Sequence, residues 1–582
     1  MMRLLLKRYL NLLLTYLKPQ WGRTLLMMVT LLTSIGLQLL GPQILRYFID
    51  TAIAGGASVS LVLAGLYFIG VTLANQVVTV ATTYLSENVA WTATNALRTD
   101  LLAHCLSLDI AFHKEHTAGE LIERIDGDVD ALSNFFSRFV VNLISNVLLV
   151  LGVLVLLFQV DWRVGLTMSV FAALALIILM LIRRRAVPYW VRLRQVTADF
   201  SSFLEEQLAG IEDTRGNGAT GAVMRLFYLL LRRWQPINRK AEFLDYLLGA
   251  TTLLTFIFGS ALSLSLGAYL WSIGVVSVGT VYLMWSYTDR ISGPIQEIQT
   301  QLQDLQQAEA GIRRIAELFQ MQPTIHDGKG NLSTSGAFAV EFRDVSFAYT
   351  AGDMILKHLS FHLPAGKMLG IVGRTGSGKT TLVRLLLRLY DAQSGEICLD
   401  SIPINTLSLS GLRQAIGMVT QDVQTFQATV RDNLTFFNRS IPDTHILTAL
   451  EDIGLSAWFY SLPDGLDTEL GSGGEGLSAG EAQLLAFARV FLTDPGLVIL
   501  DEASSRLDPA TERLIEQAMA RLFSGRTGII IAHRLETLQR VDEILVLEDG
   551  CVLEYGHRED LANDPTSRFA QLLKKGLEEV VV

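Results

Sequence analysis

Residues 373 to 380 read Gly-Arg-Thr-Gly-Ser-Gly-Lys-Thr, and both the residue types and the spacing suit a cradle for nucleotide phosphates. Gly373, Gly376 and Gly378 give the backbone conformations barred to other residues. Successive N–H groups of Arg374, Thr375, Ser377 and their neighbours can then turn inward toward phosphate oxygens. The start of the following helix, at Lys379, Thr380 and Thr381, adds partial positive charge. Lys379 is expected to reach the terminal phosphates and Thr380 to place its hydroxyl on Mg²⁺. Apolar Met368–Val372 reads as the strand before the loop, and the helical spacing of Leu382–Leu389 as the helix after it. Without that context, the same eight residues read as a flexible surface loop with an exposed lysine.

Other residues could share that chemistry. Val498-Ile-Leu-Asp501-Glu502 is an apolar strand ending in two acids. Asp501 fits a residue holding Mg²⁺ through water, and Glu502 one that polarises the attacking water. Gln421 follows the apolar run 416–419 and offers a neutral contact to metal or water. His533 closes the strand 529–532 and could hydrogen-bond a γ-phosphate. Tyr349, at the end of the alternating strand 340–347, could stack on adenine. Taken singly, each has an ordinary structural reading: a strand end, a turn residue, a core tyrosine.

These residues occupy only the second half of the chain. Half of the 582 residues are hydrophobic and 18% are charged, with a mean hydropathy of +0.37. A soluble chain carries about 25% charged residues, so part of this one is expected in lipid. The net charge of −10 argues against nucleic acid as a partner. Cys105, Cys398 and Cys551 are too scattered for a disulfide framework or a metal site. His104, His113 and His116 lack a suitably spaced carboxylate or cysteine and read as solvated loop histidines.

Six stretches carry no charge: 25–45, 60–80, 139–160, 164–182, 246–270 and 273–287. Five are long enough for about 30 Å of hydrocarbon; the sixth is short and is expected to run on toward Asp289. The segments 1–24, 81–138 and 183–245 carry 20 Lys and Arg, against two, Arg46 and Arg163, in the opposite loops. The basic side is therefore expected to be cytoplasmic, with both termini. Residues 1–24 show one polar stripe (Arg3, Lys7, Asn11, Thr15, Lys18) on an apolar helix, suited to the membrane interface. The long inner segments read as helical stalks reversing near Asp109–Gly119 and Asp213–Gly221. Gln38, Asn75, Gln76, Asn142 and Asn146 read as polar glue between helices; Asp289 and Arg290 are candidates for a polar patch on a transport pathway or for mutual neutralisation. The expected organisation is an interfacial helix at 1–24, a six-helix membrane domain at 25–320, a linker at 321–339 and an α/β P-loop domain at 340–582.

Leu477-Ser478-Ala479-Gly480-Glu481 precedes Asp501, and Ser505-Arg506-Leu507-Asp508 follows it. With the loop at 373 and the membrane spans before it, the chain resembles a half-transporter of the ATP-binding cassette exporters, the multidrug and lipid-export class, over nearly its whole length. The resemblance implies Tyr349 as the adenine-stacking aromatic, Gln421 as the coupling glutamine, Glu502 as the catalytic base and His533 as the switch histidine. It implies two cassettes sandwiching two ATP molecules with Mg²⁺, each ATP on one chain's phosphate loop and the other chain's Ser478 and Gly480. Glu469 and the glycines after it resemble the segment that meets the membrane domain's coupling helices. The family's signature reads Leu-Ser-Gly-Gly-Gln, so Ala479 and Glu481 depart from it. A methyl group near a close backbone approach and a carboxylate near a triphosphate are both unfavourable. Intact Lys379, Asp501, Glu502 and His533 beside a weakened signature fit one member of a heterodimer; a homodimer tolerant of the changes is the other reading. The implied function is ATP-driven export of a lipophilic or amphipathic substrate across a plasma membrane, prokaryotic by its short outer loops. A siderophore-like importer on the same architecture, an ATP-gated channel or scramblase, and a regulatory subunit stay open at this point.

Overall fold

The computed structural model describes residues 15–134, 137, 141–332, 336–350, 352–471, 477–501, 509–532 and 535–580. They divide into two compact units: residues up to 107 with 116–321, and residues 108–115 with 322–582.

The first unit is helical. Its long helices are α1 (Trp21–Ile53), α2 (Ser58–Ser107), α3 (Val141–Val160), α4 (Trp162–Ala209), α5 (Thr220–Ser272) and α6 (Val278–Gln320). Among the described residues, five helices are long and apolar enough to cross a membrane by length and composition: Thr15–Ile53 and α2 to α5. The sixth apolar stretch is divided. Residues 273–277 form the connection, and only 278–287 begin α6, which then continues past Asp289 to Gln320. Of the interfacial segment 1–24, residues 1–14 lie outside the described residues. Beyond the apolar stretches α2, α4 and α5 continue through 81–107, 183–209 and 220–245, about 40 Å of helix each at 1.5 Å per residue. Short helices Ile110–Glu115 and Ile211–Gly216 occupy the two reversals.

Polar side chains in the apolar stretches do join helices. Ser34 Oγ donates to Asn75 Oδ1 at 3.1 Å and lies 3.2 Å from Thr79 Oγ1. Gln38 Nε2 donates to Ser34 Oγ. Asp50 ties α1 to the start of α6 by accepting from Ser277 Oγ at 2.7 Å and from the Gly279 N–H at 2.9 Å. Two expectations need correction. His104 is no loop histidine: it sits half-buried on α2, its Nε2 3.0 Å from the Leu318 carbonyl oxygen and its ring against Phe319. Among the described residues no ion pair joins Asp289 to Arg290, because neighbours on a helix point about 100° apart.

The second unit is built on sheets. Its strands are β1 (Val340–Ala348), β2 (Met354–Leu363), β3 (Met368–Gly373), β4 (Ser394–Leu399), β5 (Ile402–Pro403), β6 (Ile416–Val419), β7 (Ala428–Thr429), β8 (Glu469–Leu470), β9 (Leu497–Asp501), β10 (Thr527–Ile531), β11 (Glu543–Glu548) and β12 (Cys551–His557). The main sheet has the order β12-β11-β3-β10-β9-β6, and β11, β3, β10, β9 and β6 are parallel. Its strands read as continuous apolar runs because both faces are covered. Val498, Leu500 and Ile530 enter one core with Phe487 and Leu450. Their alternates Leu497, Ile499, Ile529 and Ile531 enter the other with Phe342, Leu369 and Leu385.

Candidate functional site

Parallel strands present their carboxyl ends on one edge, and an open parallel sheet binds its substrates there. β3 ends at Gly373, where the phosphate loop begins, and β9 ends at Asp501. β10 lies between them, with Ile531 beside Ile371 on one side and beside Asp501 on the other. β6 flanks β9 with Val419 beside Leu500, and Gln421 follows in an exposed bend. Four chain segments distant in sequence thus reach one edge. Glu502, the loop Ser505–Asp508, His533 and the glycines at 473, 474 and 476 lie outside the described residues. Glu502 is the residue after Asp501, and His533 comes two residues after the end of β10.

The loop has the shape that a phosphate needs. Gly376 and Gly378 have φ of 86° and 104°, left-handed conformations that strain a side chain. Gly373 is needed for a different reason than expected. It carries no positive φ; a Cβ there would meet the Leu547 carbonyl oxygen and Ser377 Oγ. Helix α7 (Lys379–Leu386) follows directly. Lys379 is buried, and its ammonium donates to the carbonyl oxygens of Gly373 at 2.6 Å and Arg374 at 3.0 Å. Ser377 Oγ is buried without a hydrogen-bond partner among the described residues. A buried hydroxyl and a buried lysine whose ammonium sits over its own loop are groups that phosphate oxygens would engage. Arg374, Thr375 and the Thr380 side chain are exposed on the loop; Thr381 is buried.

Tyr349 stands beside α7. Its hydroxyl lies 3.1 Å from Thr381 Oγ1 and accepts from Arg384 Nη1 at 3.1 Å. Its ring meets Phe347 and Tyr390 edge to face at 5.0 and 5.1 Å. Lys114 of the short helix Ile110–Glu115, part of this same unit, puts its ammonium 4.6 Å from the Tyr349 ring centre and 5.6 Å from that of Tyr390. Cation–π attraction of this kind is worth about 0.5–1 kcal/mol at an exposed site. A base stacking on that face would have to displace the ammonium. Lys114→Ala is therefore expected to tighten ATP binding about two- to fivefold, measured by titration of a fluorescent ATP analogue. Weaker binding in the variant would mean that Lys114 assists the nucleotide instead.

Ser478 begins helix α8 (Ala479–Thr493). Its hydroxyl accepts from the Glu481 N–H at 3.2 Å while Glu481 Oε2 accepts from the Ser478 N–H at 2.8 Å. This reciprocal pair is a capping box, and an acid in the first turn also suits the helix dipole. Ala479 is exposed, whereas a Cβ at Gly480 would collide with the Thr511 side chain of helix α9 (Pro509–Leu522). The glycine that packing requires is the one this chain keeps. The same helix carries Arg489, which no motif or spacing singles out. Arg489 donates to the carbonyl oxygens of Gln424 at 2.9 Å and Asn433 at 2.8 Å. Burial pulls its pKa down to about 10. It ties the segment after Gln421 to the helix that starts at Ser478.

A glycine cradle, an acid and a glutamine at the carboxyl edge of a parallel sheet, in one chain with apolar helices of membrane length, define a nucleotide-driven membrane transporter. Residues 24–295 match the family model "ABC transporter transmembrane region", and residues 356–505 match the model "ABC transporter". The chain is 30% identical over 553 residues to an uncharacterized ABC transporter ATP-binding protein, YfiC, of Bacillus subtilis, covering 94% of this chain and 91% of the relative. It is also 30% identical to a fatty acid ABC transporter ATP-binding/permease protein of Mycobacterium bovis, covering 80% and 74% of the two chains. A solved bacterial Atm1-family ABC exporter with ATP bound superposes with a TM-score of 0.78 at 26% identity, over 95% of this chain and 98% of that one. The chain belongs to the ABC transporter family. It is an ATP-driven exporter whose cassette hydrolyses ATP, and with one cassette per chain it acts as a dimer.

Proposed function

We propose that this chain exports a lipophilic or amphipathic substrate across a prokaryotic plasma membrane by alternating access. Its termini and cassette are cytoplasmic, and its membrane domain, 25–320, has six spans. The observation that carries the reading is the convergence of Lys379, Asp501 and Gln421 at one sheet edge, in a chain with five described helices long and apolar enough to span a bilayer. The linker is 321–339, the cassette 340–582, and residues 1–24 form the interfacial helix. The name of the Mycobacterium relative, a fatty acid transporter, supports an amphipathic substrate.

The residues divide the chemistry among them. The N–H groups of Gly373, Arg374, Thr375, Gly376, Ser377 and Gly378 cradle the phosphates with Lys379 and Thr381, and Tyr349 carries the base. Thr380, Asp501 and Gln421 supply the hard oxygen donors that Mg²⁺ prefers; once bound, the ion neutralises charge on the phosphates. Glu502 takes the proton of the water that attacks the γ-phosphorus as the β–γ bridging bond breaks. His533 holds the γ-phosphate, and Ser478 with Gly480 closes the partner chain's nucleotide. In this reading Glu481 occupies the Ser478 N–H with a carboxylate, which weakens the composite site it lines and favours a heterodimer whose other chain carries the intact signature.

The test uses inside-out vesicles containing the chain and a fluorescent lipophilic dye. ATP should drive dye into the vesicle lumen, and a non-hydrolysable analogue should not. Dye leaving the lumen with ATP would mark an importer; movement down its gradient with the analogue would mark a channel. Either outcome overturns the proposal.

A further inference from the structure

Helices α4 and α5 pair antiparallel and part at one level. On the membrane side Gly259 leaves room for Phe171, whose ring a Cβ at 259 would strike. On the far side Trp234 Nε1 donates to Thr197 Oγ1 at 3.2 Å. Between these two ties a cavity of about 770 Å³ opens. Each helix carries a proline there, Pro188 in α4 and Pro236 in α5. A proline removes one backbone bond and crowds the preceding turn, so helices bend at such points.

The lining has two chemistries. Arg185, Arg239 and Lys240 are exposed cations. Among the described residues none of their side chains makes an ion pair or hydrogen bond, and no carboxylate lines the cavity. Tyr189, Phe243 and Leu244 form apolar walls beside them. Sequence sets the depth: apolar stretch 164–182 ends just before Arg185, and 246–270 begins just after Leu244. At 1.5 Å per residue the cations lie about 5–10 Å beyond the hydrocarbon, which is headgroup level. Unpaired guanidinium groups favour phosphate, which they can grip with two parallel hydrogen bonds. The apolar walls favour a phosphate that arrives with hydrocarbon attached.

We infer that this cavity binds the phosphate headgroup of an anionic membrane lipid, with the acyl chains lying along the apolar parts of α4 and α5. The inference rests on the proposed export reading only for the placement of those stretches in the bilayer. It deepens that reading by assigning an anionic amphiphile its own site on the basic side of the membrane.

Native mass spectrometry of the full chain in detergent tests it, with phosphatidylglycerol as probe and phosphatidylcholine as control, both without nucleotide. The variant is Arg185→Gln, Arg239→Gln and Lys240→Gln together; an unchanged helical circular-dichroism spectrum and melting temperature show that it folds. Should the triple variant fail to fold, Lys240→Gln alone should still lose about fivefold. The wild type should bind phosphatidylglycerol about a hundredfold more tightly than the triple variant does, with phosphatidylcholine weak and equal in both. Equal phosphatidylglycerol binding by wild type and variant would overturn the inference, as would phosphatidylcholine binding as tightly. Glycerol 3-phosphate competing with equal affinity would show a site for free phosphate and overturn the lipid assignment. Dye leaving the lumen with ATP, with phosphatidylglycerol binding intact, would sink the export reading and leave this site standing.

Discussion

Lys379→Ala should weaken ATP binding about tenfold to a hundredfold, the equivalent of about 1.5–3 kcal/mol for one charge-assisted hydrogen bond. It should lower hydrolysis by a further two to three orders of magnitude or so, since charge on the transferring phosphoryl group goes uncompensated. The side chain is buried at the start of α7, and its ammonium already holds the carbonyl oxygens of Gly373 and Arg374. The charge is therefore preorganised over the loop, and its position costs no ordering when phosphate arrives. Alanine is a strong helix former, so α7 should start unchanged and the deficit should be one of chemistry. Calorimetric ATP titration and phosphate release, on the same preparation, separate the binding loss from the rate loss. Hydrolysis within tenfold of wild type would mean that the loop at 373 is not the nucleotide site.

Much of this machinery was legible in the sequence because it is local. The spacing of residues 373–380 and the strand before it need no distant partner to be recognised, and the runs at 497–500 and 529–531 are apolar throughout because the sheet is covered on both faces. Likewise, helix breaks at 116–117 and 217–219 fall within the reversals read at Asp109–Gly119 and Asp213–Gly221, and the break at Gly210 comes just before the second. What the sequence concealed depends on residues far apart in the chain. Lys114 and Tyr349 are joined only by the fold, and so are His104 and Leu318. Hydropathy also misplaced the start of the last long helix, because 273–277 is as apolar as a helix yet turns. Ser277 accepts from the Thr280 N–H at 3.1 Å as the cap of α6, a boundary that side-chain hydrogen bonding sets and hydrophobicity does not. The reading of Glu481 changed most. The sequence showed a negative charge near a triphosphate; the structure shows that carboxylate engaged with the backbone of Ser478.

Glu502→Gln should abolish hydrolysis, by about two to four orders of magnitude for the loss of a general base, while ATP binding stays near the wild-type value. Glutamine keeps the size and polarity of the side chain but cannot take up the water's proton at neutral pH, whereas Lys379 and the loop amides that hold the phosphates are untouched. Measured on the purified chain alone, the same variant also separates the two assemblies. Wild-type activity that Glu502→Gln removes would mean that two copies form competent sites, with the capping box at Ser478 and Glu481 opening toward the phosphate or leaving it room. Folded, ATP-binding wild-type chain with no activity would mean that Glu502 works only against another chain's signature. In that case Glu481→Gln with Ala479→Gly should create activity in the chain alone: the capping box survives with glutamine, so the change removes charge while leaving the start of α8 in place. If that double variant stayed inactive, the signature could not be the reason for silence, and the heterodimer argument from Ala479 and Glu481 would fall.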